Sequence, residues 1–491
     1  MKILLVDPPG RNKGLNTGLG YLSAVLEGIH EVSVLDLNNI ELGLCGDPNT
    51  TLPIGEIERR IRICLNDTQP ELAGISVKTF TVDVTMRIID CIRNTNPKIK
   101  IIVGGPHVTL DGDNFIRKSG ADIGVIGEGD HTILEVSNAL SEGRSVASIH
   151  GIYFWDKDRL IRNQRTDPIG DLDTLPLPIY KYFTSVINNG GKLTEYPLLT
   201  SRGCPFNCTY CSMPKIMGKS WRAHSPERVI EELNYAKKYY ECSSFTVVDD
   251  NLTLDLKRVE DICDRLISKR IIPNWNSQNG IRADRISAEL AIKMRRAGCR
   301  YVWIGIESAD EKVFAGLCKG EDLGSIARGI KHLKNAGIRV GGFFILGLPD
   351  STKETDLKAV DFVKKHGIDG WWFNFVPYPQ TEAWNWVQEH GKVLRPLEGA
   401  LQYGKNDIEP VFETDEYPKA IRRKTYEAIH VKLKYFDRLI EPSLKQWDMW
   451  RQVIEKVIPY GSSSLVYLLI FMVKYNVRKV VGRVTGLLIL K

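Results

Sequence analysis

Short apolar runs alternate with helix-like segments along the first 145 residues of the chain. The apolar runs are bounded by Gly, Pro or Asp, which is typical of buried strands. This alternation predicts a parallel α/β sheet with helices on both faces, and such sheets bind ligands beyond the carboxyl ends of their strands. The predicted strands cover residues 3–6, 32–35, 72–76, 99–103 and 123–126, and the predicted helices cover residues 20–27, 54–65, 82–93 and 132–140.

The alternation weakens between residues 146 and 195, and we interpret this segment as a linker. Residues 151–155 have the composition of one more strand. Residues 171–178 are predicted to be extended, because a proline disfavours helix at the residue before it.

A second alternating region spans residues 196–395 and contains six strand–helix units. Six units predict a partial (β/α)6 barrel of the TIM type, in which the chemistry gathers at the C-terminal ends of the strands. The predicted strands cover residues 197–200, 244–248, 275–278, 301–306, 339–346 and 371–376, and the predicted helices cover residues 226–239, 256–269, 288–297, 325–336 and 353–366.

The last region, residues 396–491, is predicted to be helical, with an amphipathic, charged segment at 417–440. Residues 465–473 are apolar throughout, yet this run is shorter than the roughly 20 residues that span a bilayer. The basic residues that follow it are Lys474, Arg478, Lys479 and Arg483. Such a tail either makes a peripheral contact with an anionic membrane surface or packs over the barrel.

Length and composition narrow the class of protein. A chain of 491 residues is too long for one core, and about three domains are expected. The content of 43% hydrophobic and 26% charged residues is ordinary for a soluble globular protein. The net charge of +6 is mild and no basic block precedes the far C-terminus, so we expect no nucleic-acid partner. The N-terminus has no apolar signal core, which indicates a cytoplasmic location, with any membrane contact at the inner face.

Three cysteines, Cys204, Cys208 and Cys211, lie in one short loop after the first predicted barrel strand. A 4Fe–4S cubane has four irons and is usually held by thiolates, so three cysteines leave one iron open to a chelating molecule. A structural zinc site normally has four ligands, and disulfide frameworks are typical of short secreted chains, so both alternatives are weaker.

Glycines and polar residues follow three strands of the predicted front sheet. These residues are Ser76, Gly104, Gly105, Gly127, Glu128 and Gly129. Paired glycines allow a bulky flat ligand to approach the backbone closely, although the same residues also form ordinary tight turns.

The cysteine loop, with Tyr210 before its third cysteine, resembles the signature of the radical S-adenosylmethionine (SAM) superfamily. Further motifs occur in the order seen in the cobalamin-binding branch of that superfamily, at residues 104–107, 127–130, 225–229, 249–251, 305–308, 347–349 and 377–382. The resemblance implies a Rossmann-like cobalamin-binding domain over residues 1–145, a linker over 146–195 and a radical SAM core over 196–395. It implies three cofactors, namely a 4Fe–4S cluster, SAM and cobalamin.

The resemblance also implies a mechanism and a set of site residues. SAM would chelate the open iron, and an electron from an external flavodoxin or ferredoxin type of donor would cleave it to a 5′-deoxyadenosyl radical. Phe206 and Tyr210 would shield the cluster and lie beside the adenine. The residues expected to hold the SAM amine, carboxylate or ribose are Asp249, Asp250, Gln278, Arg282 and Glu307. The glycines and polar residues of the front sheet, Ser76 and Glu128 included, would contact cobalamin.

One departure from the family pattern concerns the lower cobalt ligand. Classical cobalamin domains offer a histidine from an Asp-x-His-x-x-Gly loop, whereas the first strand here is followed by Asp7-Pro8-Pro9-Gly10-Arg11. We therefore expect cobalamin to be held without that histidine. His107 as a substitute ligand and loss of cobalamin from the front domain stay open as alternatives.

The leading functional hypothesis is methylation of an unactivated carbon of an unknown small molecule or lipid. The main alternative is an oxidative cyclase, rearrangement or carbon–carbon coupling enzyme of the same branch, because both classes use the same site. A non-catalytic iron–sulfur or cobalamin sensor is a third hypothesis. A methylthiotransferase is disfavoured, because the front region lacks a second cysteine trio. Aromatic residues at 371–373 and Tyr378 suit an apolar or planar substrate, although aromatic residues in a strand more often belong to the core.

Overall fold

The computed structural model describes residues 1–10, 14–39, 52–397 and 409–433. In this part of the chain the front region forms one seven-stranded sheet. Its strands are β1 (Lys2–Asp7), β2 (Glu31–Asp36), β3 (Leu72–Ser76), β4 (Lys100–Gly104), β5 (Ile123–Val125), β6 (Ile152–Asp156) and β7 (Arg159–Arg162). Their order is β2-β1-β3-β4-β5-β6-β7, with β1 to β5 parallel. From β1 the chain first adds β2 on one side and then β3 on the other, so the strand order reverses between β1 and β3. Doubly wound sheets bind ligands at such a switch point.

Helices connect the parallel strands of this sheet. They are α1 (Thr17–Leu26), α2 (Ile54–Thr68), α3 (Val82–Thr95), α4 (Pro106–Ser119) and α5 (Asp130–Ser141). Leu4 and Val6 of β1 share one buried apolar cluster with Ile61 of α2 and Ile88 of α3. The sheet is therefore covered by apolar helix faces, as the alternation of strands and helices predicts.

The front sheet continues past residue 145, where the sequence places the end of the first domain. β6 pairs antiparallel with β5, and β7 pairs antiparallel with β6. The segment interpreted as a linker thus begins with a hairpin that belongs to the sheet. A largely extended stretch follows, and it contains the short helix α6 (Thr184–Asn188). Within the segment predicted to be extended, Leu172–Thr174 instead form one turn of 3₁₀ helix, capped by the Asp171 side chain.

The second region is an open barrel of six parallel strands. Its elements are β8 (Glu195–Leu198), β9 (Ser201–Arg202), α7 (Met213–Ile216), β10 (Arg222–Ala223), α8 (Pro226–Tyr240), β11 (Ser244–Val247), α9 (Leu256–Lys269), β12 (Asn274–Ile281), α10 (Ala288–Arg296), β13 (Cys299–Glu307), α11 (Glu311–Gly316), α12 (Leu323–Asn335), β14 (Arg339–Leu346), α13 (Lys353–His366), β15 (Asp369–Asn374) and α14 (Glu382–His390). The six-stranded sheet has the order β15-β14-β13-β12-β11-β8, so successive barrel strands are neighbours. β9 and β10 form a separate two-stranded ribbon.

The chain after the barrel contributes β16 (Lys392–Val393), β17 (Phe412–Glu413) and α15 (Lys419–Leu433). Arg422 of α15 is buried with its guanidinium 4.2 Å from the centre of the Phe412 ring. The apolar run at 465–473 and the basic residues after it lie outside the described residues. Among the described helices, none combines the length and the apolar character that a membrane span requires.

Candidate functional site

The three cysteines lie in an excursion of the chain that begins and ends at the β9–β10 ribbon. Residues 203–221 leave the barrel after β9 and return at β10. Gly203 at the start of this loop has a φ of +84°, and a Cβ there would lie 2.4 Å from the carbonyl oxygen of Ser220. Only glycine fits this close approach of the two ends of the loop.

The donor set of the loop fits an iron–sulfur cluster. Burial raises the pKa of the Cys208 thiol to about 11 and that of the Cys211 thiol to about 12. Cys204 contributes to both shifts, so the three cysteines are close enough to interact electrostatically. The described residues contain no group of His, Cys, Asp and Glu side chains that converges on a single metal ion. A cubane does not need such convergence, because each thiolate binds a different iron. Metal binding would deprotonate the thiols.

Arg282 and Phe206 come together at the tip of the loop. The guanidinium carbon of Arg282 lies 3.8 Å from the centre of the Phe206 ring. Arg282 also donates hydrogen bonds to the carbonyl oxygens of Lys319 (2.6 Å) and Gly320 (3.0 Å). Arg282, expected from the sequence to hold SAM, therefore holds the cysteine loop against residues 319–320.

Glu307 and Tyr210 also meet. The Tyr210 hydroxyl donates a 3.0 Å hydrogen bond to Oε1 of Glu307. Glu307 has a φ of +66°, which is uncommon for a residue other than glycine. This strained backbone position at the end of β13 fixes the carboxylate beside the cysteine loop.

Lys319 and Glu321 are functional candidates that the sequence does not reveal. The Lys319 side chain is 7% exposed. Its ammonium lies 3.2 Å from Oε1 of Glu321 and 3.4 Å from Oε1 of Glu307, and it donates to the Gly305 carbonyl. The carboxylates raise the pKa of Lys319 against the effect of its burial, so this lysine is charged. The sequence does not mark Lys319, because a single lysine in a polar loop belongs to no motif with a recognisable spacing.

Asp249 and Asp250 have different surroundings. The buried Asp249 carboxylate accepts hydrogen bonds of 2.6 Å from the backbone N–H and the hydroxyl of Thr200 and from the hydroxyl of Ser201. Its oxygens thus hold the chain that leads into the cysteine loop. Asp250 instead lines a cavity and is exposed to it, and partial desolvation by the surrounding protein, with a smaller contribution from Asp249, raises its pKa to about 7. Gln278 is exposed on β12 and donates a 3.5 Å hydrogen bond to Glu195.

That cavity, of about 440 Å³, lies between the carboxyl ends of the front strands and the barrel. The front residues predicted to contact cobalamin all line it, namely Ser76, Gly104, Gly105, Gly127, Glu128 and Gly129. Val248, Asp250 and Asn279 line it from the barrel, and Met213 and Met217 line it just after Cys211. The cavity therefore reaches from the front sheet to the cysteine loop.

The front wall of the cavity fits a flat ring. A Cβ on Gly105, at a φ of +103°, would lie 3.0 Å from the Val77 carbonyl oxygen, so the backbone there leaves no room for a side chain. Most of the remaining lining is apolar, from residues such as Leu19, Ile75 and Val103. These features suit the edge and face of a corrin macrocycle.

The structure does not place His107 in the cavity lining. Its ring is buried against Phe115, with centroids 5.4 Å apart, and Nδ1 lies 3.3 Å from the Thr79 hydroxyl. Asn16 is one of the polar lining residues at the switch point, and it donates to Asp7 (2.8 Å) and to Ser76 (3.1 Å). No histidine occurs among the described residues that line the cavity.

Comparisons with known proteins agree with both halves of this site. The radical SAM superfamily profile matches residues 198–363, and the B12 binding domain profile matches residues 11–137. The chain is 31% identical over 450 residues to the uncharacterized methyltransferase PH0819 of Pyrococcus horikoshii, covering 88% of this chain and 93% of that relative. It is 25% identical to the anaerobic magnesium-protoporphyrin IX monomethyl ester cyclase of Rubrivivax gelatinosus over 66% of this chain and 60% of the cyclase.

Among solved structures, the fold is similar to that of the radical SAM methyltransferase TsrM from Kitasatospora setae with cobalamin and a [4Fe-4S] cluster bound. The TM-score is 0.63 at 18% identity, and the match covers 78% of this chain and 76% of TsrM. The chain therefore belongs to the radical SAM superfamily, in the branch of enzymes with a B12-binding domain, and its cofactors are a 4Fe–4S cluster, SAM and cobalamin.

Proposed function

We propose that this enzyme transfers a methyl group from SAM, by way of cobalamin, to an unactivated carbon of a small-molecule substrate. The observation that carries the proposal is the shared cavity, because one space is lined by the B12-binding domain, by the barrel and by the residues that follow Cys211. When bound, the cofactors supply a methyl carrier and a radical that abstracts hydrogen.

The chain itself supplies position and charge. We assign cluster binding to Cys204, Cys208 and Cys211. Tyr210 and Lys319 both contact Oε1 of Glu307, and this fixed carboxylate is suited to the SAM amine. Asp250, with a pKa of about 7, can accept or release a proton beside the cavity near neutral pH.

The substrate we propose is flat or largely apolar. Trp303 of β13 and Phe343 of β14 are stacked with ring centroids 4.6 Å apart at an interplanar angle of 9°. Trp371 of β15 packs edge-on against Trp303. Neighbouring strands thus present a continuous aromatic surface on the same face of the sheet, which suits a planar or apolar molecule.

The reaction also needs an electron, which we propose comes from an external flavodoxin or ferredoxin. A cytoplasmic location and a peripheral membrane contact of the tail are further proposals that rest on the sequence.

The test is anaerobic reconstitution of the full chain with iron, sulfide and hydroxocobalamin, followed by SAM and a strong reductant. We expect both 5′-deoxyadenosine and S-adenosylhomocysteine by mass spectrometry, the second only when cobalamin is present. The Cys208→Ala variant should lose 5′-deoxyadenosine formation.

Two outcomes contradict methyl transfer in different ways. Formation of 5′-deoxyadenosine without S-adenosylhomocysteine would favour the cyclase or coupling class, to which the cyclase relative belongs. Failure of cluster-loaded protein to cleave SAM would favour a sensor.

A further inference from the structure

The ribbon that closes the cysteine loop pairs two arginines. In the antiparallel register of β9 and β10, Arg202 lies directly opposite Arg222. Like charges at directly opposed positions destabilise such a pair of strands. The loop that carries the cysteines can therefore close at this point only if counter-charges are supplied from elsewhere.

Those counter-charges come from the B12-binding domain. Asp130 accepts two hydrogen bonds from the guanidinium of Arg202, of 2.8 and 3.1 Å. Oε1 of Glu128 lies 2.8 Å from Nη1 of Arg222 and 3.8 Å from Nη1 of Arg202. Helix α1 of the same domain also contacts this ribbon, since the Arg202 guanidinium lies 4.9 Å from the centre of the Tyr21 ring.

All four charged side chains of this cluster are buried, with between 5% and 6% of their surface exposed. A buried ion pair adds little net stability, because desolvation offsets its attraction, but removal of one partner leaves an uncompensated buried charge. The cluster is therefore better suited to fixing a geometry than to stabilising the fold. The geometry that it fixes is the position of residues 203–221 relative to residues 128–130.

The same short segment also lines the cavity. Glu128, Gly129 and Asp130 all face the space that we assign to cobalamin. The Glu128 carboxylate, expected from the sequence to contact cobalamin, is engaged by Arg222 and by the backbone N–H of Ile169, at 2.8 Å. One segment thus serves as a wall of the cobalamin site and as the counter-ion of the cysteine loop.

We infer that Glu128 and Asp130 are positioning residues for the iron–sulfur cluster, through which cobalamin binding and the geometry of the cysteine loop are coupled. This inference rests on the proposed role of the three cysteines in holding the cluster. Coupling of this kind is reciprocal, so a change on either side should alter binding on the other.

The first test uses full-length protein reconstituted with iron and sulfide in the absence of any cobalamin. Under these conditions a residue that only contacts cobalamin has no effect on the cluster. We expect Glu128→Gln to shift or broaden the EPR signal of the reduced cluster, with and without SAM, and to lower bound iron at least twofold. Glu135→Gln removes an exposed carboxylate from helix α5, which begins two residues after Glu128, and this matched control should behave as wild type.

A double variant keeps the test meaningful if Glu128→Gln alone folds poorly. Arg222→Gln added to Glu128→Gln removes both the carboxylate and the opposed arginine, so the like-charge repulsion disappears. Arg222 also donates to the carbonyl oxygens of Ile169 (2.8 Å) and Met217 (3.1 Å), and glutamine is chosen because its amide keeps a donor at this position. We expect this double variant to recover the wild-type EPR signal. A general packing defect would instead grow with the second substitution, and that result would overturn the inference.

The reciprocal test measures hydroxocobalamin affinity in iron-free protein. Arg222 is not among the residues that line the cavity, yet Arg222→Gln should weaken binding several-fold, because Glu128 loses the nearer of its two arginine partners. An unchanged EPR signal in Glu128→Gln, or an unchanged hydroxocobalamin affinity in Arg222→Gln, would refute the coupling. Wild-type protein that assembles no cluster would refute the proposed function instead.

Discussion

At the scale of single residues, the adjacent carboxylates of Asp249 and Asp250 have different roles. The Asp249 carboxylate accepts hydrogen bonds from Thr200 and Ser201, whereas Asp250 lines the cavity. The two are consecutive in the loop that follows β11, where Asp249 is buried and Asp250 is exposed. Their roles therefore follow from the direction in which each side chain leaves the backbone.

We expect Asp249→Asn to destabilise the protein by about 1–3 kcal/mol, because the amide group cannot accept all three hydrogen bonds and leaves a buried donor without an acceptor. The same variant should bind less iron, since Thr200 and Ser201 lead into the cysteine loop. Urea denaturation of the iron-free protein and the iron content after reconstitution measure the two effects.

Asp250→Asn is the matched control for this prediction. It should alter hydroxocobalamin binding and change the free energy of unfolding by no more than about 0.5 kcal/mol, the range of ordinary surface substitutions. The assignment of the two residues is wrong if Asp250→Asn is the more destabilising variant.

The sequence identifies the residues of the site better than it identifies their partners. Asp250, Arg282 and Glu307 are recognisable because they follow strands or stand in motifs. That Arg282 stacks on Phe206, and that Lys319 joins Glu307, depends on a loop approaching from a distant part of the chain. Sequence spacing contains no information about such an approach, so a role on SAM was expected for Arg282 and none for Lys319.

At the scale of secondary structure, periodicity predicts the long elements well and the short ones poorly. The strand expected at residues 301–306 is β13 (Cys299–Glu307), and the helix expected at 256–269 is α9 (Leu256–Lys269). The β9–β10 ribbon pairs two residues with two, which is too short for any periodic pattern.

The hairpin of β6 and β7 was hidden for a different reason. Tight turns that need a positive φ usually carry Gly or Asn, which marks them in a sequence. Here the residue with the positive φ is Lys157, at +53°, so no glycine marks the turn in the sequence. Periodicity therefore does not predict the second strand of the hairpin, and residues that the sequence assigns to a linker belong to the front sheet.

Close packing of helix α12 leads to a prediction for one glycine. A Cβ on Gly329 would lie 2.0 Å from the carbonyl oxygen of Ala283, which is backbone and cannot move aside cheaply. Overpacking costs about 1–3 kcal/mol, whereas replacing a helical glycine by alanine gains up to about 1 kcal/mol. We therefore expect Gly329→Ala to lower the apparent Tm.

Gly55 of helix α2 provides the matched comparison, since nothing lies within 4 Å of a Cβ built there. Gly55→Ala should raise the Tm or leave it unchanged. Similar effects of the two substitutions, measured by thermal unfolding of the iron-free protein, would contradict the packing argument.

At the scale of the whole molecule, His224 joins the B12-binding domain to the barrel. Nε2 lies 3.1 Å from the Tyr21 hydroxyl of α1, and Nδ1 lies 3.1 Å from Asp173 in the connecting segment. Burial lowers the pKa of His224 to about 4, against the opposing effect of Asp173, and the charges of Arg228 and Arg202 add to the lowering.

This shift predicts acid sensitivity of the junction. The ordinary pKa of histidine is about 6.5, so between pH 6.5 and 4 the unfolded chain takes up a proton that the folded protein excludes. The contribution of His224 is complete above pH 6.5 and is lost as the pH falls towards 4, with a size on the order of 3 kcal/mol. The apparent Tm of iron-free protein should fall over this range.

His224→Gln should flatten that pH dependence, because glutamine does not titrate. His131→Gln, at an exposed position on α5, serves as the control and should retain the wild-type slope. Equal slopes for wild type and His224→Gln would exclude His224 as the source.

The buried carboxylates that close the cysteine loop have a consequence for how the protein is made. Glu128 and Asp130 leave the ribosome well before Arg202 and Arg222. At ordinary rates of translation the delay is on the order of ten seconds, which is long enough for an N-terminal domain to fold first. Residues 203–221 thus leave the ribosome when the B12-binding domain, with Glu128 and Asp130, is already folded. Iron is then inserted into a loop whose counter-charges are in place.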